Sequence, residues 1–274
     1  MIPAPFEYAR AESVDHAIEL LGSSEEAKIL AGGHSLLPLM KLRLARPSLL
    51  VDIGRIEDLA YVREDGDMVA IGALTRHHDV AGSELLQSAC PIVADAAEQV
   101  GDPQVRHVGT IGGSVAHADP AGDMPAVLVA LEAELVIRGA GGATRTVTAR
   151  DFFKGLFTPD LEANEVLAEI RVPKITGGWS YLKFHRRAID WALVGVAAVR
   201  MNGGAHIGLT NMGETPLRAA GVEEALAGGA DPAAASERAD EGTSPPSDAF
   251  GSAEYRRELV KVLVRRALEE AMAG

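Results

Sequence analysis

Residues Lys28-Ile29-Leu30-Ala31-Gly32-Gly33-His34-Ser35-Leu36-Leu37-Pro38 run from a short apolar segment, through two glycines and a hydroxyl, into a second apolar segment. A glycine pair at the end of a strand lets the chain take a tight, left-handed path on which successive backbone N–H groups converge on an anion. A counterpart follows at Gly109-Thr110-Ile111-Gly112-Gly113-Ser114. Taken alone, either stretch reads as a turn. Taken together, they read as two loops holding one phosphate-bearing cofactor between them. Neither is a Rossmann fingerprint, because no third glycine stands at the required offset and no acidic residue closes a following βαβ unit. Neither is a P-loop, because no Lys-Ser/Thr pair follows the glycines.

Around these stretches the pattern is mixed α and β. Ser13 can cap a helix whose Val14, Ala17, Ile18 and Leu21 share one face and which Gly22 stops. Lys28 to Ala31 and Leu49 to Ile53 read as strands, and Leu36 to Leu44 as a helix that tolerates Pro38 in its first turn. Met68 to Ala73 reads as a strand, Thr75 as the cap of a helix through His77, Val80 and Leu85, and Ile92 to Val100 as an amphipathic helix. Asp123 is expected to begin a helix over Met124 to Leu131. Leu135 to Arg138 and Arg145 to Val147 form a hairpin, and Glu165 to Val172 a strand that Pro173 ends. After Ile175-Thr176-Gly177-Gly178 the texture changes to an antiparallel meander. Its strands are Trp179 to His185, Ala192 to Met201 and Ala205 to Asn211, followed by a helix over Ala219 to Leu226. Residues 228–246 are read as a poorly specified loop, and Ser252 to Met272 as the closing helix.

The 274 residues, 47% hydrophobic, suffice for a substantial core. A balance of 26 basic against 39 acidic residues, net −13, argues against nucleic acid or an anionic membrane as a main partner. The N-terminus lacks the basic-then-apolar pattern of a leader and no apolar run approaches a membrane span, so a cytoplasmic location is expected. Cys90 is the single cysteine, which rules out an iron–sulfur cluster or a cysteine-based zinc site built by this chain alone. Followed by Pro91 in apolar surroundings, it reads as a buried, inert thiol. His77-His78-Asp79, and His117 with Asp119 and Asp123, lack the spacing of a metal site, so no metal is expected.

The stretch from Lys28 to Arg43, with Gly109 to Ser114, Asp119-Pro120-Ala121-Gly122-Asp123 and the later Lys183, Arg186 and Arg187, resembles the FAD-binding medium subunits of molybdenum hydroxylases. This is the family of the carbon monoxide dehydrogenase medium chain and the xanthine dehydrogenase FAD subunit. The resemblance extends from Pro5 to the final helix and is weakest over 228–246. It implies an α+β chain. Residues 1–177 would be a two-part FAD-binding domain of the vanillyl-alcohol oxidase (PCMH) type, a small α/β part over 1–54 and a larger α+β part over 55–177. Residues 178–274 would be a C-terminal domain with a three-stranded antiparallel sheet and helices.

The resemblance also implies where FAD lies. Ala31, Gly32, Gly33, His34 and Ser35, together with Thr110, Ile111, Gly112, Gly113 and Ser114, would wrap the diphosphate, with Leu30, Leu36, Val100 and Gly101 in the same cofactor-binding set. Lys28 would sit at the cofactor's edge. Asp123, otherwise a plain helix cap, would meet the adenosine portion. Val166 and Leu167, otherwise strand core, would meet the adenine. Lys183, otherwise an exposed strand lysine, would lie near the flavin ring. Trp191 stands where the family often has tyrosine over one flavin face, so stacking is kept and a hydroxyl is lost. No side chain of this chain need act as an acid or base.

Without cysteines for clusters, the chain would complete its redox chemistry through partners. The resemblance implies a large molybdopterin-binding subunit and a small [2Fe-2S] subunit, arranged as a dimer of heterotrimers, with electrons passing from the clusters through FAD to an external acceptor. Two alternatives stay open: a stand-alone FAD-dependent oxidoreductase of the same fold, and a non-catalytic nucleotide-binding assembly module.

Overall fold

The structure, a computed structural model, describes residues 1–273. Its first part is a three-stranded sheet of β1 (Glu7–Arg10), β2 (Ala27–Leu30) and β3 (Leu49–Asp52), with β3 central and parallel to both neighbours. Leu49, Leu50 and Val51 are buried, as a central parallel strand requires. Helix α1 (Val14–Gly22) starts where the Ser13 hydroxyl accepts the His16 N–H at 3.1 Å, and it buries Ala17, Ile18 and Leu21. Helix α2 (Leu36–Lys41) is shorter than the sequence suggests. Arg43 takes a φ of 60°, and the N–H groups of Leu44 and Ala45 fold back onto the Leu39 carbonyl.

The second part is an antiparallel five-stranded sheet in the order β4-β5-β10-β6-β7. In chain order its elements are β4 (Val62–Asp65), β5 (Met68–Gly72), α3 (His77–Ala81), α4 (Glu84–Ala89), α5 (Pro91–Glu98), α6 (Pro103–Arg106), α7 (Ile111–His117), α8 (Asp123–Ala130), β6 (Glu134–Arg138), β7 (Thr144–Thr148), α9 (Ala149–Phe152), the small pair β8 (Phe153–Gly155) and β9 (Thr158–Pro159), and β10 (Val166–Pro173). Strand β10 is central and is covered on both faces. Val166 and Ala168 join the core beneath the first sheet, while Leu167, Ile170 and Val172 join the core beneath α5 and α8. Thr75 does not cap α3. Its hydroxyl donates to the Tyr61 carbonyl at 2.9 Å instead, leaving Arg76 at the cap, and the helix breaks at Gly82 before Ser83 caps α4.

The last part holds β11 (Trp179–Phe184), β12 (Val194–Met201), β13 (Gly204–Thr210), β14 (Leu217–Arg218), α10 (Ala220–Ala227), α11 (Pro232–Ser236) and α12 (Ala253–Ala273). Its antiparallel sheet has four strands rather than three, since the two-residue β14 pairs with β13 and is too short to leave an alternation in sequence. The region 228–246 is not a plain loop. Asp231 caps α11 through the Ala234 N–H at 2.7 Å, and Ala235 and Ala239 are buried in the core that α12 closes. Strand β12 is apolar on both faces: Ala197 and Val199 enter the core of the second part, while Val194, Val196 and Ala198 face the α12 core. Helix α8 lies between the two sheets with every residue from Asp123 to Ala130 buried. A side chain at Gly208 of β13 would strike the Ala126 carbonyl of this helix.

Candidate functional site

The chain leaves β2 at Leu30 and turns through Gly33, whose φ of 72° is the left-handed conformation that favours glycine. Among the described residues nothing accepts a hydrogen bond from the N–H groups of Gly32, Gly33, His34, Ser35 or Leu36. The Ser35 hydroxyl makes no capping bond, and His34 and Ser35 are exposed. Backbone donors turn to water or to a ligand when the chain does not satisfy them. Five in succession around a left-handed glycine are the kind of donor run from which anion-binding concavities are made.

The second stretch is not a loop of free donors. Thr110 caps α7, so Ile111 to Ser114 form its first turn. Their N–H groups are already engaged: Ile111 donates to the Thr75 carbonyl at 3.0 Å, Gly112 to that of Ala73 at 2.9 Å, Gly113 to the Thr110 hydroxyl at 3.2 Å, and Ser114 to the Thr110 carbonyl at 3.0 Å. The contribution of this stretch is close approach. A Cβ on Gly32 would lie 2.5 Å from the Val108 carbonyl oxygen, and one on Gly113 would lie 3.9 Å from the Ala31 Cβ. The first stretch offers donors, and the second is the surface against which it is held.

Asp123 and Lys183 meet. Lys183 Nζ lies 3.0 Å from Asp123 Oδ2 and donates to the Gln99 carbonyl at 2.9 Å, while the Tyr181 hydroxyl donates to Asp123 Oδ1 at 2.6 Å. The two charged side chains are 3% and 7% exposed, so Lys183 is not the solvent-facing strand lysine of the plain reading. Asp123 begins α8 but caps nothing, because both its oxygens are taken. Burial raises the Asp123 pKa against the opposing pull of Lys183, and burial together with the Asp123 charge raises the Tyr181 phenol well above its usual value. Val100 and Gly101 adjoin this cluster and turn their carbonyls to Arg106 Nη1 at 3.0 and 3.2 Å.

The remaining expected residues are more dispersed. Lys28 is exposed on the edge strand β2. Val166 and Leu167 point to opposite faces of β10, so their side chains belong to different cores. Trp191 is 71% exposed on the connection between β11 and β12. The sequence offers His77 as a helix residue and as a candidate metal ligand. His77 is buried beside the second stretch, its backbone N–H donates to the Gly109 carbonyl at 3.0 Å, and its ring Nδ1 has no partner. Burial, then Arg106, lowers its pKa to about 4, so the imidazole is neutral. The adjacent histidine pair was the available signal for it, with nothing to tell which member would turn inward. Among the described residues no group of three or more His, Cys, Asp or Glu is placed to hold a metal ion, and no helix is long and apolar enough to cross a membrane.

Comparison with known families defines the class of protein. Residues 4–175 match the FAD binding domain in molybdopterin dehydrogenase, and residues 179–271 match the CO dehydrogenase flavoprotein C-terminal domain. The chain is similar over its whole length to the carbon monoxide dehydrogenase medium chain of Hydrogenophaga pseudoflava, with 44% identity and 99% of that protein covered. It is also similar to the glyceraldehyde dehydrogenase medium chain of Sulfolobus acidocaldarius, with 41% identity over 98% of this chain and 99% of that one. In solved structures it superposes on carbon monoxide dehydrogenase from Hydrogenophaga pseudoflava with a TM-score of 0.95 and 45% identity, covering 100% of this chain and 99% of that one. Quinoline 2-oxidoreductase from Pseudomonas putida gives 0.93 and 33%, with the same coverage. The chain belongs to the FAD-binding medium subunits of molybdenum hydroxylases of the carbon monoxide dehydrogenase type, and it is an oxidoreductase subunit whose cofactor is FAD.

Proposed function

We propose that the chain receives electrons from the [2Fe-2S] clusters of a small partner subunit and hands them to an external acceptor, oxidation of the substrate taking place on a large molybdopterin-binding subunit. FAD supplies the one- and two-electron chemistry of this exchange when bound. The protein's part is to bind and to orient. The N–H groups from Gly32 to Leu36 would hold the diphosphate without surface cations, and the wall formed by Val108 to Ser114 keeps that loop in place. Leu30, Ala31, Val100 and Gly101 would border the cofactor in this reading, with Lys28 at its edge and the Asp123–Lys183 pair also beside it. Val166 and Leu167 would contribute backbone, and Trp191 would stack on the flavin.

The observation that carries the reading is the run of five unengaged amides around Gly33, in a chain that matches its relatives from end to end. The absence of any cysteine but Cys90 supports separate subunits for the clusters. The relatives are named for carbon monoxide, glyceraldehyde and quinoline at broadly similar likeness, which favours the large subunit as the seat of substrate choice. A dimer of heterotrimers in the cytoplasm, with the chain divided at residues 54 and 177, completes the reading. The test is co-expression with the genes beside this one. We expect a complex in which substrate reduces the flavin, and an isolated chain that binds FAD but oxidises no substrate. Substrate turnover by the isolated chain at the rate of the complex would overturn the relay.

A further inference from the structure

The loop that presents Trp191 is strained and exposed, yet it is held from outside at two adjacent points. Ile189 has a φ of 70°, an unfavourable conformation for a β-branched residue. The neck of the loop is closed by the Leu193 N–H donating to the Phe184 carbonyl at 2.7 Å. The two carbonyls directly after Trp191 are then gripped in turn. Asn211 Nδ2 donates to the Ala192 carbonyl at 2.8 Å, and Arg256 Nη1 donates to the Leu193 carbonyl at 2.5 Å.

Arg256 is an unexpected residue for that place. It lies near the start of α12 with a side chain only 1% exposed, where a charge is costly and a methionine would fill similar space. Its second nitrogen, Nη2, donates to Asp248 Oδ2 at 2.7 Å, and Asp248 Oδ1 accepts the N–H groups of Phe250 and Gly251 at 2.8 and 3.1 Å. From the other side, Arg186 Nη1 reaches back from the Trp191 loop to the Ala249 carbonyl at 3.2 Å. One planar fork thus ties two loops at a fixed separation, which the single point of an ammonium group cannot do.

We propose that Arg256 is a positioning residue for Trp191, fixing through the Leu193 carbonyl how the indole is presented to the flavin. The proposal rests on the reading that Trp191 covers the flavin.

The test uses the full chain and its Trp191→Leu, Arg256→Met and Arg256→Lys variants, each read with and without FAD. Without FAD, trypsin is expected to cut after Arg186 or Arg187 about tenfold faster in Arg256→Met, the factor for losing the charge-assisted hydrogen bond to the Leu193 carbonyl, the one of its two that holds the Trp191 loop. With FAD, a stacked indole quenches flavin emission. Trp191→Leu should relieve the quenching, Arg256→Met should relieve it with FAD content unchanged, and Arg256→Lys should fall between. Asp248→Asn, which loosens the fork and leaves the arginine in place, should act in the same direction and serves if Arg256→Met fails to fold. Quenching that depends on Trp191 but is indifferent to Arg256 and Asp248, with unchanged trypsin cleavage, overturns the proposal alone. A wild-type chain that takes up no FAD, or quenching indifferent to Trp191, defeats the reading of the site and the proposal with it.

Discussion

Lys183 and Asp123 stand 3.0 Å apart in a setting that leaves neither side chain more than 7% exposed, and they join β11 to the first residue of α8. Removing one member strands the other charge, at a cost of about 3–5 kcal/mol. Lys183→Met is therefore expected to lower unfolding stability by about that much. The double variant Lys183→Met/Asp123→Leu should recover part of the loss, because no charge is then left unpaired. Urea denaturation of the single and double variants decides it.

The two glycine stretches should respond differently to the same change. Gly33→Val places a β-branched side chain at a φ of 72°, 2.9 Å from Leu30 Cδ1, in an exposed turn. The expected result is loss of bound flavin with far-ultraviolet circular dichroism preserved. Gly112→Val sets a Cβ 2.6 Å from the Ala73 carbonyl, where α7 lies buried against the residue that follows β5. It should lower the melting temperature as well as remove flavin. Flavin absorbance and thermal melts of both variants separate the outcomes.

His77 gives the fold an acid-sensitive point. Its folded pKa of about 4 lies below the ordinary 6.5, so the unfolded chain takes up a proton first. Its stability contribution is complete above pH 6.5 and is lost as pH falls from there toward 4. By pH 5 the loss from this group should be about 2 kcal/mol. His77→Phe should show correspondingly less decline between pH 7 and pH 5 in denaturant titrations.

Cys90 is 0% exposed and burial pushes its thiol up to about 12. A thiol reagent should leave the native chain unlabelled and modify Cys90 only through unfolding, so that the labelling rate follows global stability. Rapid labelling of the folded chain would contradict the buried, inert thiol.

What the sequence conveyed and what it withheld divide along physical lines. Ser13 with its following apolar stripe, the strand before Gly32 and the meander after Gly178 were legible because capping chemistry and periodicity are local. Strand β14 and helix α11 were not, since a few residues carry no period and their burial is set by distant partners. Within the candidate site, the two glycine stretches look alike as residues. That one presents free amides and the other spends them in α7 depends on Ala73 and Thr75, which are far away in the chain. The pairing of Asp123 with Lys183 was likewise hidden, because each reads locally as a cap or an exposed strand residue.

Helix α8 has no face for water: each of its residues is buried, with α5 and α7 on one side and β12 and β13 on the other. Past Asp123 the helix carries only apolar side chains, so losing the neighbours on either side would expose an apolar face to water. Two sequence families therefore meet in one cooperative unit that should melt in a single calorimetric transition. Neither piece cut at residue 178 should keep a native state of its own, since parting the sheets would open the core that α8 fills.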